Sequence, residues 1–189
     1  MAHGASEASS RRVPLDAQAI DAPLSQSAVF LVVTVRDAPE AIEIVRDVLS
    51  DVAGLIKTVG FRDLDAALSC IVGIGAQVWP KLTARPLPQE LHPFREFRGA
   101  SHTAPSTPGD LLFHIRSGRR DLTFEFERLL MDALGDAVSI EDETEGFRYF
   151  DARDLLGFVD GTANPVGPDL PASTIVGEED PAGAGGSYV

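Results

Sequence analysis

Ala28 to Val35 reads AVFLVVTV, an unbroken run of β-branched and aromatic residues. Such a run suits a strand covered on both faces more than one with a wet side, which would alternate apolar with polar. Helix-start signals follow at once. Asp37 is placed to cap, Pro39 fits the first turn, and Glu40 stands three residues after Asp37, where it can reach back to the backbone. Ile42, Val45, Leu49 and Val52 then form one apolar stripe, and Gly54 predicts the helix end. A buried strand feeding straight into an amphipathic helix restricts the chain to folds in which helices pack on a sheet.

The same signals recur downstream. A second strand is expected from about Ala67 to Ile74, and a short helix from Gly75 to Leu82. Between Lys81 and Gly109 the prolines at 86, 88, 93, 105 and 108, with Pro80 just before, predict a long loop. Loops of that length in a compact domain usually carry function or cover something. Asp110 to Arg116 returns to strand character, with Leu111, Phe113 and Ile115 on one face and Leu112, His114 and Arg116 on the other. Leu122, Phe126, Leu129, Leu130 and Ala133 lie in register for a helix over 119–134 that ends at Gly135. Residues 137–140 and 147–150 read as a strand or a broken hairpin. The order β, α, β, short α, β, α, β predicts an α+β fold, a ferredoxin-like antiparallel sheet with its helices on one face.

Charge narrows the partners. With 16 basic against 29 acidic residues, the formal net charge of −13 disfavours nucleic acid and anionic membrane surfaces. The one cysteine, Cys70, lies in an apolar run and predicts a buried, inert thiol. Residues 1–24, rich in Ala, Ser and Gly, read as a mobile tail. Arg11-Arg12 invites a twin-arginine export reading, but no apolar stretch follows it, so the expected location is cytoplasmic. Nothing approaches the roughly 18 apolar residues needed to span a bilayer.

The stretch richest in chemistry is Asp154-Leu155-Leu156-Gly157-Phe158-Val159-Asp160-Gly161-Thr162-Ala163-Asn164-Pro165. Two glycines around an aspartate let the backbone approach a flat ligand closely, with Phe158 to pack on it and Asp160 to project a carboxylate. The residues alone favour a plain turn, in which Asp160 caps a backbone amide and Gly161 supplies a positive φ. G-x-x-D-G by itself arises by chance in on the order of one chain in twenty of this length. The longer string is far more specific.

That string resembles the signature of the dye-decolourising (DyP-type) haem peroxidases. Gly73-Ile74-Gly75-Ala76-Gln77, His92-Pro93-Phe94, the run from Pro105 to Ile115, and Gly146-Phe147-Arg148-Tyr149-Phe150 are also similar to bacterial members of type B. The resemblance covers about residues 25–189. It implies the first half of a dimeric α+β barrel-type enzyme: a ferredoxin-like domain over 25–151, then a distal haem-loop segment and the start of a second domain over 152–189. It further implies haem b as cofactor, hydrogen peroxide and a small organic reductant such as a dye or phenol as substrates, a homo-oligomer, and packaging in a protein nanocompartment in some relatives. Asp160 is then the distal acid/base residue, with Phe158, Asp160, Gly161, Thr162 and Ala163 against the haem. Many relatives carry an acidic residue where this chain has Ala163, which weakens a metal-oxidising role at the haem edge.

In that family the histidine that holds the iron and a distal arginine lie well downstream of the aspartate. The resemblance therefore places both beyond Val189 and implies no metal ligand in this chain. His3 falls in the tail, His92 and His102 in the proline-rich loop, and His114 on a strand, where an ordinary core or interface role is expected. These 189 residues alone are accordingly expected to be catalytically deficient. The competing function is a haem-binding or deferrochelatase-like haem-handling protein without peroxidase turnover, since fold does not fix function.

Overall fold

The computed structural model describes residues 20–189. The paired arginines, His3 and most of the expected tail lie outside the described residues. Elements run in the order β1 (Ser27–Val35), α1 (Pro39–Gly60), β2 (Ser69–Ile74), α2 (Trp79–Thr83), β3 (Phe97–Arg98), β4 (Thr103–Ala104), β5 (Leu111–Ser117), α3 (Arg120–Leu134), β6 (Val138–Phe147) and α4 (Asp169–Thr174). The main sheet has the order β2-β5-β1-β6, and every neighbouring pair is antiparallel. β1-α1-β2 and β5-α3-β6 are thus two interleaved split βαβ units, the ferredoxin-like arrangement expected. β3 and β4 form a separate two-stranded ribbon inside the proline-rich loop.

Strand alternation sorts the sheet into two unlike faces. Val29, Leu31 and Val33 of β1 sit opposite Ile115, Phe113 and Leu111 of β5, all buried beneath the helices. α1 contributes Ala41, Val45, Val48, Val52 and Val59 to this core, and α3 contributes Leu122, Phe126, Leu130 and Leu134. On the other face, Phe30 pairs with His114 and Val32 with Leu112, and these side chains are only partly covered. The expectation of a strand covered on both faces is corrected accordingly: helices cover one side, and the other stays open along much of β1.

Several boundaries also differ from expectation. α1 does not stop at Gly54 but continues to Gly60, because the apolar stripe persists through Val59; burial there outweighs the ~1 kcal/mol cost of an internal glycine. Its N-cap is Ala38, without a side-chain cap, since the Asp37 carboxylate is taken by Lys81 Nζ at 2.7 Å. The short helix starts at Trp79 rather than Gly75, as residues 75–78 form the turn that precedes it. Instead of a broken hairpin, β6 is one strand of 10 residues, held by pairing along the length of β1 with a bulge near Val32/Val33. Cys70 is buried as expected, and burial pushes its thiol up to about 12.

The long loop rejoins the sheet at Gly109-Asp110. Gly109 has φ +148°, and a Cβ there would lie 2.5 Å from Val32 Cγ1, so only glycine lets the loop pass so close to the open face. Asp110 Oδ2 then accepts the Val35 amide at 2.9 Å and pins the loop end to β1.

β6 is an edge strand, and its Glu143 and Glu145 oppose Leu31 and Val29 on the helix side. There they meet Glu127 of α3. Burial pushes the Glu127 carboxyl up to about 7, and the charges of Glu143 and Glu145 add to the rise. Since the folded value lies above the ordinary 4.5, the folded state holds the extra proton between those two values, and stability falls as pH rises through that window. Glu127→Gln is expected to raise the urea midpoint at pH 8 and to flatten its decline between pH 4.5 and about 7. Midpoints matching wild type at both ends would contradict this.

Candidate functional site

Beside the open sheet face, the chain leaving β6 folds back and borders a solvent-open cavity of about 400 Å³. Its floor is made by Phe30, His114 and Arg116 from the strands, and its far wall by residues 146–149, 152–154, 160, 161 and 164. Asp160 and Gly161 therefore reach the cavity, while Phe158, Thr162 and Ala163 do not line it. Phe158 is 68% exposed in this structure.

The loop that presents Asp160 is built locally. Asp154 Oδ1 accepts the amides of Leu156 and Phe158, both at 2.9 Å, and the Asp154 amide returns a bond to the Phe158 carbonyl at 2.9 Å. Arg153 bridges to Val159 in the backbone, and its Nη1 donates to the Gly157 carbonyl at 2.9 Å. Gly157 at φ +93° and Gly161 at φ +73° take left-handed turns that side chains resist. Asp160 is exposed, and its Oδ1 accepts the Gly161 amide at 2.7 Å. In this state it does cap a backbone turn, the plainer of the two readings its sequence permits, while standing in the cavity wall.

Three arginines converge on the same space. The Arg116 side chain is buried, and its Nη1 donates to the Ala22 carbonyl at 3.4 Å; burial lowers its pKa, and Asp21 opposes that. Arg148 and Arg153 complete the set. Among the described residues, neither forms a salt bridge, although Asp154 and Asp160 line the same cavity. Both aspartates accept backbone amides instead. With Asp21 acting on Arg116, three guanidiniums face three carboxylates, so the cavity gathers charges of both signs.

His114 stacks on Phe30, with centroids 4.3 Å apart and planes at 16°. Burial lowers its pKa first, and the Arg116 charge lowers it further, which favours a neutral imidazole. It is half-buried on the open face of the sheet, outside the helix-side core, and lines the cavity that Asp160 shares. Phe147 and Tyr149 add an edge-to-face pair at 6.5 Å on the opposite rim. Phe30, His114, Arg116, Arg148 and Arg153 do not stand out as site residues in the sequence. The alternation of β5 does put His114 and Arg116 together on the face away from the core, which is the one signal that could have found them.

Comparison with known proteins gives this arrangement a family. The family described as Dyp-type peroxidase, N-terminal, matches residues 17–148, and Dyp-type peroxidase, C-terminal, matches residues 151–189. A dye-decolorizing peroxidase of Mycobacterium tuberculosis is 52% identical over 172 residues, which is 91% of this chain and 51% of that protein. One from Brevibacterium linens is 55% identical over 162 residues, 85% of this chain and 44% of that protein. Among solved structures, a DypB variant of Rhodococcus jostii RHA1 in complex with heme superposes with a TM-score of 0.83 at 51% identity, over 87% of this chain and 53% of that one. The encapsulated DyP-type peroxidase of Mycobacterium smegmatis gives a TM-score of 0.83 at 50% identity, over 88% and 53%. The chain spans about half the length of the relatives it matches. With both family regions matched in order and a ferredoxin-like sheet shared with those structures, the chain belongs to the Dyp-type peroxidase family.

Proposed function

We propose that this chain forms the peroxide-facing half of a haem peroxidase that oxidises dyes or phenol-like reductants with hydrogen peroxide. The observation that carries the reading is the cavity, where Asp160 stands with three arginines and an aromatic floor against the open face of the sheet. Such a lining suits a flat apolar ring bearing carboxylates: Phe30, Phe147 and Tyr149 offer apolar surface, and Arg116, Arg148 and Arg153 offer cationic groups. Haem b would be held on this side by the loop of Phe158, Asp160, Gly161, Thr162 and Ala163, of which Asp160 and Gly161 already line the cavity and the other three would have to turn toward it, with residues 25–151 as the supporting domain and 152–189 as the segment leading into a second one. When bound, haem supplies the redox-active iron. The family resemblance, rather than the placement of His92, His102 or His114, assigns the ligation of that iron. The iron-holding histidine and the partner arginine then come from sequence beyond Val189, in keeping with relatives about twice as long.

Asp160 does the acid/base work. Its carboxylate accepts a proton from one oxygen of hydrogen peroxide and returns it to the other, so that the second oxygen departs as water. The exposed loop lets Asp160 leave the Gly161 amide and turn toward peroxide without breaking a buried contact. Homo-oligomerisation and packaging in a nanocompartment belong to the same reading, the latter supported by the encapsulated M. smegmatis relative.

The test is to join this chain to a complete Dyp-type C-terminal domain, load it with haem, and follow oxidation of an anthraquinone dye by hydrogen peroxide. Sustained turnover is expected there, and little haem retention in the 189 residues alone. Haem binding without any turnover in the joined protein would favour the haem-handling alternative and overturn the peroxidase reading.

A further inference from the structure

The segment after β6 is thinly packed: most residues from 153 to 179 are exposed. Among the described residues, the hydrogen bonds that tie 154–189 to the fold preceding residue 150 fall at one place. Asp180, itself only 7% exposed, accepts the Gln89 amide through Oδ2 at 2.8 Å and the Tyr188 hydroxyl through the same oxygen. The Tyr188 oxygen in turn accepts the Glu90 amide at 3.2 Å. Two consecutive backbone amides of the proline-rich loop are thus gripped by a carboxylate–phenol pair about 90 positions further along the chain. Asp180 Oδ1 accepts the Ala182 amide at 3.3 Å, and its carbonyl accepts the Gly183 amide at 3.0 Å, which fixes the turn that carries it.

This clamp is mechanically continuous with the Asp160 loop. Val176 and Gly185-Gly186 exchange backbone bonds of 2.9 Å, so the end of α4 is held directly beside the clamp. From α4, only the turn at Pro165–Pro168 separates the helix from the Asp160 motif. The other end of the segment is fixed covalently by β6. The Arg148 amide adds a bond to the Gln26 carbonyl at 3.0 Å beside β6, and from Arg153 to the clamp, among the described residues, no other hydrogen bond ties the segment to residues before 149.

We propose that Asp180 and Tyr188 are positioning residues, whose clamp on the amides of Gln89 and Glu90 holds the Asp160 segment across the open face of the sheet. The proposal rests on the reading of Asp160 as the working carboxylate for its functional meaning, but its physical content does not require haem. It also accounts for the proline-rich loop. Prolines at 86 and 88 stiffen the backbone just before the gripped amides, so the anchor is itself rigid. The Tyr188 hydroxyl, followed by the backbone amides, holds the Asp180 carboxyl below its usual range, so the carboxylate form that the clamp needs persists into acid.

The experiment is an electron–electron spin-resonance distance between labels at Val166→Cys and Ser50→Cys in the 189-residue chain. Cys70, buried and with its thiol pushed up to about 12, does not compete for the label. A control pair, Ser50→Cys with Ser139→Cys, reports the domain alone. With the clamp intact, the 50–166 distance is a single narrow population. In Asp180→Ala and in Tyr188→Phe that distribution is expected to widen about twofold or more while the control stays narrow, as local release of one anchored segment requires. Asp180→Glu should restore part of the narrow population. Tyr188→Phe removes one oxygen atom and keeps the ring, so it carries the test if Asp180→Ala fails to fold. Unchanged 50–166 widths in the folded variants would overturn the proposal. Failure of the peroxidase reading would leave these distances untouched and would appear only in haem and peroxide assays.

Discussion

Replacing Asp160 by Asn is expected to slow the peroxide-dependent step of the haem-loaded protein by about 10²- to 10⁴-fold, the range that a positioned acid/base group contributes. That corresponds to roughly 2.7–5.4 kcal/mol of barrier. The substitution separates proton transfer from structure unusually well. Asn keeps a carbonyl oxygen of the same shape to accept the Gly161 amide, so the loop with Gly157 and Gly161 in left-handed turns can stay as it is. It removes the ability to take a proton from one oxygen and return it to the other. Because Asp160 is exposed, the unfolding free energy should move by no more than about 0.5 kcal/mol. A rate close to wild type, with haem content equal in both proteins, would assign the proton transfer elsewhere.

The second large effect concerns the core that supports the site. Phe113 is fully buried on β5, flanked across the sheet by Leu31 and Val72 on the helix side. Truncation to Ala removes an aromatic ring from beneath helices that cannot collapse onto the gap. The expected loss is about 3–5 kcal/mol by urea unfolding. Against a typical total of about 5–15 kcal/mol, this is a large share of the stability of the chain. Phe158→Ala is the matched comparison: the ring is 68% exposed, and the expected change is within about 0.5 kcal/mol. Equal midpoints for the two variants would mean that the sheet–helix core is not where folding free energy is concentrated.

What the sequence reveals follows from how local each signal is. The β1 run, the α3 stripe and Gly135 as its terminator are patterns within one element, and each corresponds to an observed element. The end of α1 is illegible because Gly54 is a local stop signal overridden by the tertiary burial of Val59. Asp37 reads as a cap because its partner Lys81, 44 residues away, cannot be seen from its neighbours. β6 looks broken because its acidic middle, Glu141 to Glu145, has no strand-like hydrophobicity; its continuity comes from pairing with β1.

The site divides in the same way. Asp160 is legible because its motif is contiguous. Its neighbours in the cavity are not, since Phe30 meets His114 through strand register, and Arg116, Arg148 and Arg153 converge only once β6 has turned back over the open face. The Asp180–Tyr188 clamp joins residues 91 and 98 positions apart, and neither residue carries a signal in its local sequence.

The central claim is that the open-face cavity shared by Asp160 and His114 faces the haem, and paramagnetic broadening by ferric haem tests it most directly. The protein should carry this chain joined to a complete Dyp-type C-terminal domain, with isotope labels in residues 20–189. The resonances of Phe30, His114 and Gly161 are expected to broaden when ferric haem is loaded, while those of Leu122 and Phe126, across the sheet on the helix side, keep their widths. Broadening confined to the helix side or the proline-rich loop, with the cavity resonances intact, would contradict it.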